Sequence, residues 1–349
     1  MNKRTRLFLV VAAAILVVGL GTGLVASYVG LQNLTIIGGR GPAELAYVPV
    51  DTRIVAYANV RDVMDSELRH KLDSVAPGGG DGARTFQEKT GIDVEHDIDY
   101  VLAAVLDATV DASLESGPPL VLAHGRFDPV RLEGLARQEG ATVEDYKGHR
   151  LITHEMFGLA FVEPGLVVLG APAAVKKAID TKSAGAKNAS DNDELMRLIG
   201  DVDDGTVWAV AKFDALAATR LPQEVVGKLP QISWFSAKGV IHSGIEGQVR
   251  AEARDDAAAQ DLRQVIQGFM ALARMQAANQ PAIADFMNSM QLGGQGKTVS
   301  LSFSVPPAVI DAIGGRRALQ PRVPSLPTEP PVPAPTAPEA PKAPAPPAL

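Results

Sequence analysis

The chain has 349 residues, 33 Lys plus Arg against 40 Asp plus Glu, a net charge of −7 and no cysteine. Lack of cysteine excludes disulfides, thiolate metal sites, a cysteine nucleophile and lipid attachment through an N-terminal Cys. Residues 41–317 hold 27 basic and 38 acidic side chains; that charge of −11 repels phosphate backbones and anionic lipid surfaces, which excludes nucleic acid as a partner class.

Residues 1–6 form a short stub with Lys3, Arg4 and Arg6. From Leu7 to Tyr28 the sequence reads LFLVVAAAILVVGLGTGLVASY, and no Asp, Glu, Lys or Arg follows until Arg40. In a helix this run of 22 residues reaches about 33 Å, which matches a hydrocarbon core of roughly 30 Å. It exceeds the ~7–15 apolar residues of a cleavable signal, so residues 7–31 are expected to be an uncleaved transmembrane signal anchor. Val25-Ala26-Ser27 offers small residues for a weak cleavage site, and a secreted, processed form is the alternative. Three basic residues before the span and one after it predict a cytoplasmic N-terminus. The bulk of the chain then lies on the periplasmic, extracytoplasmic side of a bacterial cytoplasmic membrane. Gly19 and Gly23 form a GxxxG, continued by Ala26 and Gly30, a face on which two membrane helices can dimerise.

Residues 41–183 read as a first α+β repeat. Glu44-Leu45 precedes a strand over Thr52–Val60, and a helix is expected over Arg61–Val75 with Val63, Met64, Leu68 and Leu72 on one face. Pro77 and Gly78–Gly82 end it; that Gly-rich stretch contains Asp81 and has no nearby Lys, so it reads as a flexible loop and not as a phosphate cradle. A short helix around Thr85–Thr90 leads to strands Tyr100–Leu106 and Leu120–Phe127. Asp128 then caps a helix with Pro129 at its first position, running to about Gln138. An antiparallel meander follows: a strand to Tyr146, Leu151–His154, Leu159–Val162 and Leu166–Leu169, turning at Lys147-Gly148 and Pro164-Gly165. The helix Pro172–Ile179 closes the unit.

Residues 184–192, AGAKNASDN, read as a linker. In 193–316, the second α+β repeat, Glu194-Leu195 and Thr206–Phe213 correspond to Glu44-Leu45 and Thr52–Val60, which suggests an internal duplication. From Ile245 to Arg254 apolar or small residues alternate with polar ones, the pattern of a strand with one buried face. Asp255-Asp256 begin the longest helix outside the apolar run, to about Ala278, with Leu262, Val265, Ile266, Phe269, Met270 and Ala273 as its apolar stripe. A shorter helix after Pro281 places Ile283, Phe286, Met287 and Met290 on one face, and Val299–Val305 alternates as a last strand. Residues 317–349 are a Pro/Ala-rich tail expected to be disordered and extended. It is read as a spacer, with a ligand for a proline-binding groove as the sharper reading.

Chemical signatures fail one by one. Lys297-Thr298 follows a Gly-rich stretch, but Gln291 stands where a P-loop needs its first Gly and a strand follows. His154-Glu155 opens an HExxH that Gly158 does not complete, and Asp201, Asp203 and Asp204 begin a calcium-type loop with Thr206 at the Gly position. Ser243 and His242 are adjacent on a strand and point to opposite faces. His149 and His154 approach one another only in one register of the meander.

No catalytic, cofactor-binding or metal residue is therefore assigned. The candidate apolar binding surface is Met270, Met275, Ile283, Phe286, Met287 and Met290, where methionines can accept varied apolar partners. The segments Glu44–Met64 and Tyr146–Asp180 (YKGHRLI, AFVEPGLVVLGAPAAVKKAID) resemble stretches of uncharacterised bacterial exported or membrane-anchored proteins of the domain-of-unknown-function type. That resemblance implies the architecture and carries no functional residue.

The expected fold is α+β, two pseudo-repeats of mainly antiparallel sheet with packed helices, a membrane helix at one end and a disordered tail at the other. The expected function is a membrane-anchored binding or envelope-assembly module without catalysis, acting on an envelope protein or an apolar ligand. The alternatives are a hydrolase with dispersed residues such as His124 and Asp128, or a structural spacer.

Overall fold

The computed structural model describes residues 41–69, 87–88, 90–106, 118–213, 231–277, 281–307 and 309. The apolar run with Gly19 and Gly23, the Gly-rich loop at 78–82 and the tail at 317–349 lie outside the described residues. Among the described residues, no helix is long and apolar enough to cross a membrane.

The described chain is a mixed α+β structure on one antiparallel sheet. Its strands are β1 (Ile54–Ala58), β2 (Ile98–Val105), β3 (Leu120–Gly125), β4 (Thr142–Tyr146), β5 (His149–His154), β6 (Phe157–Glu163), β7 (Leu166–Gly170), β8 (Val207–Lys212), β9 (Ile232–Ile241), β10 (Ile245–Ala253), β11 (Gln291–Gly293) and β12 (Thr298–Val305). Across the sheet the order is β11-β12-β10-β9-β8-β1-β2-β3-β7-β6-β5-β4. The two stretches that begin the expected repeats, β1 and β8, are hydrogen-bonded neighbours with Ala56 opposite Ala209. The sheet is thus continuous from one expected repeat to the other.

One face of the sheet carries the main core. Val55, Leu102, Leu122, Val168, Trp208 and Val210 point into it and meet Leu45, Val175, Ile179, Leu195 and Ile199 from the elements above. Those elements are α4 (Pro172–Ser183), α5 (Asp193–Gly200) and two 3₁₀ turns at Ala43–Tyr47 and Ala189–Asp191. On the opposite face α3 (Pro129–Gln138) lies over β4 and β5, while α6 (Asp256–Ala277) and α7 (Pro281–Ser289) lie over the β10–β12 end. Ala251, Ala253, Ala259, Leu262 and Val299 make the small core beneath α6.

Capping works as the side chains dictate. Asp128 accepts the backbone N–H groups of Val130 and Arg131, each at 3.0 Å, and Pro129 needs no partner at the first helical position. The helix expected over 61–75 is interrupted: α1 spans Val60–Met64, the Ser66 hydroxyl accepts the N–H of Arg69 at 3.0 Å, so a new turn starts there, and the rest of the expected helix from 70 lies outside the described residues; a one-turn helix α2 (Val94–Asp97) precedes β2. The stretch 184–192, expected as a linker, makes several contacts. Asn188 caps the turn at 189–191, Ala189 is fully buried, and Pro49 bridges to Asn188.

Candidate functional site

The helical layer over β10–β12 starts from an acidic N-terminus. Asp255 accepts the N–H of Ala258 at 2.8 Å, and its carboxyl sits below the usual range, chiefly because of that backbone hydrogen bond. From Asp256 α6 runs for 22 residues, about 33 Å. Ala259 and Leu262 are buried, and Ile266 packs on the small core beneath them. Met270 is half-buried.

The six residues expected to form one apolar surface do not share one exposure. Phe286 meets Phe303 of β12 edge to face, with centroids 6.0 Å apart, and Met287 and Met290 are half-buried. Any side chain at Gly247 of β10 would collide with the Phe303 ring, so the glycine makes room for this contact. The Ser289 hydroxyl accepts the N–H of Ser304 at 3.0 Å and donates to the carbonyl of Phe286 at 2.7 Å, fastening the end of α7 to β12. Ile283 lies within α7. Met275, by contrast, is 75% exposed on the outside of α6.

Met275 belongs to a different surface, shared with Val265 and Phe269, which were expected in the inward stripe, and with Leu272, which was not. Val265, Phe269 and Leu272 are exposed, Phe269 by 68%. At positions i, i+4, i+7 and i+10, Val265, Phe269, Leu272 and Met275 fall on one side of the helix. Leu272 and Met275 lie round the helix from Leu262 and Ile266, and Phe269, on nearly the same side as Leu262, stands two turns further along the axis; together with Val265 they remain as an uncovered stripe. The sequence signal for it is the width of the apolar arc, broader than the ~100° one core-facing stripe requires.

A second cluster sits at the end of β2 and β3. His124 Nδ1 lies 3.0 Å from a carboxylate oxygen of Asp99, which also pairs with Arg61. His124 stacks on Tyr100 at 4.9 Å, Tyr100 packs against Tyr57 at 5.6 Å, and Tyr57 stacks on Trp208 at 5.5 Å, a row of rings across four adjacent strands. The Tyr100 hydroxyl donates to Glu44 at 2.6 Å. Burial, then that hydrogen bond, holds the Tyr100 phenol well above the ordinary tyrosine range. The histidine is therefore partnered by Asp99, while Asp128, named with it in the alternative hydrolase reading, caps α3.

The residues weighed above as metal or calcium ligands can each be placed. His149 and His154 stand at opposite ends of β5, five residues apart, so they point to opposite faces. Asp201 pairs with Arg250, Asp204 with Lys238, and Asp203 accepts the N–H of Gly41 at 3.3 Å, so the three carboxylates serve separate contacts. Among the described residues no group of three metal-ligating side chains is assembled.

No family model and no curated protein matches the chain. Among solved structures the chain is similar to crystal form III of TP0453, at a TM-score of 0.46 and 8% identity, over 79% of this chain and 99% of that one. Crystal form I of TP0453 gives a TM-score of 0.43 and 11% identity over 79% and 98% of the two chains.

Proposed function

We propose that this chain is a membrane-anchored, extracytoplasmic binding or assembly module without catalytic activity, which holds an apolar helical segment of another envelope protein. The observation that carries the reading is the uncovered stripe of Val265, Phe269, Leu272 and Met275 on α6. Its spacing is that with which one helix packs against another. A helix that lies in a bilayer surface normally adds Lys or Arg on its polar face and often Trp. Between Leu262 and Ala277 the only charges are Arg263 and Arg274, and Arg263 donates to the carbonyls of Gly296 and Thr298, each at 2.9 Å. A protein segment therefore fits the stripe better than lipid does.

In this reading residues 7–31 anchor the module in a bacterial cytoplasmic membrane with the N-terminus inside, Gly19 and Gly23 allow two anchors to pair, and 317–349 is a spacer. The two halves of the sheet are taken as a duplicated unit. The equivalent places of β1 and β8, and the fully buried Leu45 and Leu195 ahead of them, support this.

The test is site-specific photo-crosslinking of the full chain in native membranes, with the probe at Phe269 or, on the polar side of α6, at Gln267. A discrete protein adduct from position 269, absent from 267 and lost in Leu272→Asp, is expected. Equal adducts from both positions, lipid adducts alone, or none would overturn the proposal.

A further inference from the structure

Away from α6, a cavity of about 540 Å³ opens between the loop at 90–92, the Gly125–Asp128 connection and the first turn of α3, with Gly165 at its wall. That volume falls in the range of small-molecule sites. Its charged lining is two aspartates and two arginines, whose engagements differ, and Thr90 adds a hydroxyl that accepts the N–H of Ile92 at 3.2 Å. Asp128 takes the two N–H groups that cap α3. Asp97 accepts the N–H of Asp93 at 2.9 Å and pairs with Arg126 at 3.5 Å, and Arg126 also donates to the carbonyl of His96. Arg131 alone of the four has a side chain with no ion pair or hydrogen bond among the described residues.

The Arg131 side chain is exposed and reaches from α3 to the loop at 90–92. Its guanidinium lies directly over Gly91, whose positive φ of 73° and missing side chain leave the space; any Cβ at 91 would collide with it. A cation in the first turn works against the helix dipole, so stabilising α3 does not account for this arginine. Beside it Ile92, Phe127 and Leu132 give the cavity half-buried apolar wall.

We propose that this cavity binds a small organic anion, with a carboxylate or phosphate head on the Arg131 guanidinium and an apolar body against Ile92, Phe127 and Leu132. A guanidinium fork suits either head group because it offers paired N–H donors to two oxygens. The site is separate from the α6 stripe and does not depend on the function proposed for it.

Isothermal titration of the full chain in nanodiscs with benzoate, phenyl phosphate and benzyl alcohol tests this, the first two separating carboxylate from phosphate. One of the anions is expected to bind saturably at a single site, and benzyl alcohol not to. Arg131→Gln should weaken that anion by about tenfold or more with the melting temperature unchanged, and Arg131→Lys should lose less. No saturable binding of either anion overturns the proposal. So does equal binding of benzyl alcohol, or an Arg131→Gln chain that folds and binds as the parent does.

Discussion

If the outer stripe of α6 is a surface and not hidden core, two apolar residues seven positions apart on one helix must respond very unequally to truncation. Leu262 is 6% exposed and packs with Ala251 and Val299, whereas Phe269 is 68% exposed. Leu262→Ala removes three carbons, about 2.4 kcal/mol of transfer energy at ~0.8 kcal/mol each, and adds the cost of the cavity left behind. A loss of roughly 3 kcal/mol is expected, inside the ~2–5 range for such truncations. Phe269→Ser removes a larger side chain but little buried area, and Ser and Phe have similar helix propensities, so the change should stay within about 0.5 kcal/mol. Urea unfolding of the full chain in detergent, read by circular dichroism, measures both, with the slope against urea checked for constancy. A loss of about 1.5 kcal/mol or more for Phe269→Ser at unchanged slope would mean that the ring is buried, and the binding stripe would fall with it.

Tyr100→Phe removes the hydroxyl that serves a buried carboxylate, since Glu44 is 6% exposed and its other oxygen has no partner among the described residues. A loss of about 1–3 kcal/mol is expected, with part recovered in the Glu44→Leu/Tyr100→Phe pair, both measured by urea unfolding. Gly247→Ala drives a methyl into the Phe303 ring and should cost about 1–3 kcal/mol while loosening α7, seen as faster amide exchange over 284–289. The hydrogen bond to Asp93 raises the His96 pKa; burial pushes the Asp93 carboxyl up, but the His96 side chain and the backbone N–H groups of Glu95 and His96 together outweigh it and leave the carboxyl low. The raised His96 value contributes stability in full below about pH 6.5 that is lost as pH rises through the folded value. The lowered Asp93 value contributes stability above about pH 4 that is lost as pH falls through the folded one. Asp93→Asn should therefore return the His96 titration, followed by NMR, towards its ordinary midpoint, and an unchanged midpoint would count against the pairing.

How far the fold could be read depended on how each segment meets solvent. β10 announces itself because Ile245, Gly247, Val249, Ala251 and Ala253 face one way while Glu246, Gln248, Arg250, Glu252 and Arg254 face the other. The meander was equally open to reading, since Lys147-Gly148 and Pro164-Gly165 punctuate it. β9 gave no such signal. Its two faces serve different cores, Trp234 in the main one and Phe235 against the α6 core, so apolar residues stand side by side without alternation. β11 is three residues long and carries Gly293, too short and too permissive to register as a strand.

The candidate surface was harder to read for a related reason. Periodicity says which residues share a helix face, but only the width of the underlying sheet decides how much of an apolar arc is covered. On α6, Leu262 and Ile266 meet the sheet, Leu272 and Met275 lie round the helix from them, and Phe269, on nearly the same side as Leu262 but two turns further along the axis, lies beyond what the sheet covers. A methionine-centred reading joined Met275 to Met287 and Met290 because they are alike in chemistry, although they differ in exposure. The cavity left even less trace, because its lining comes from four places in the sequence that only the packing of α3 on the sheet unites. The one local signal there was Asp128-Pro129, which fixes where α3 starts and so where Arg131 stands. A helix start read from two residues therefore located the arginine, but only the left-handed turn at Gly91 shows where its guanidinium comes to rest.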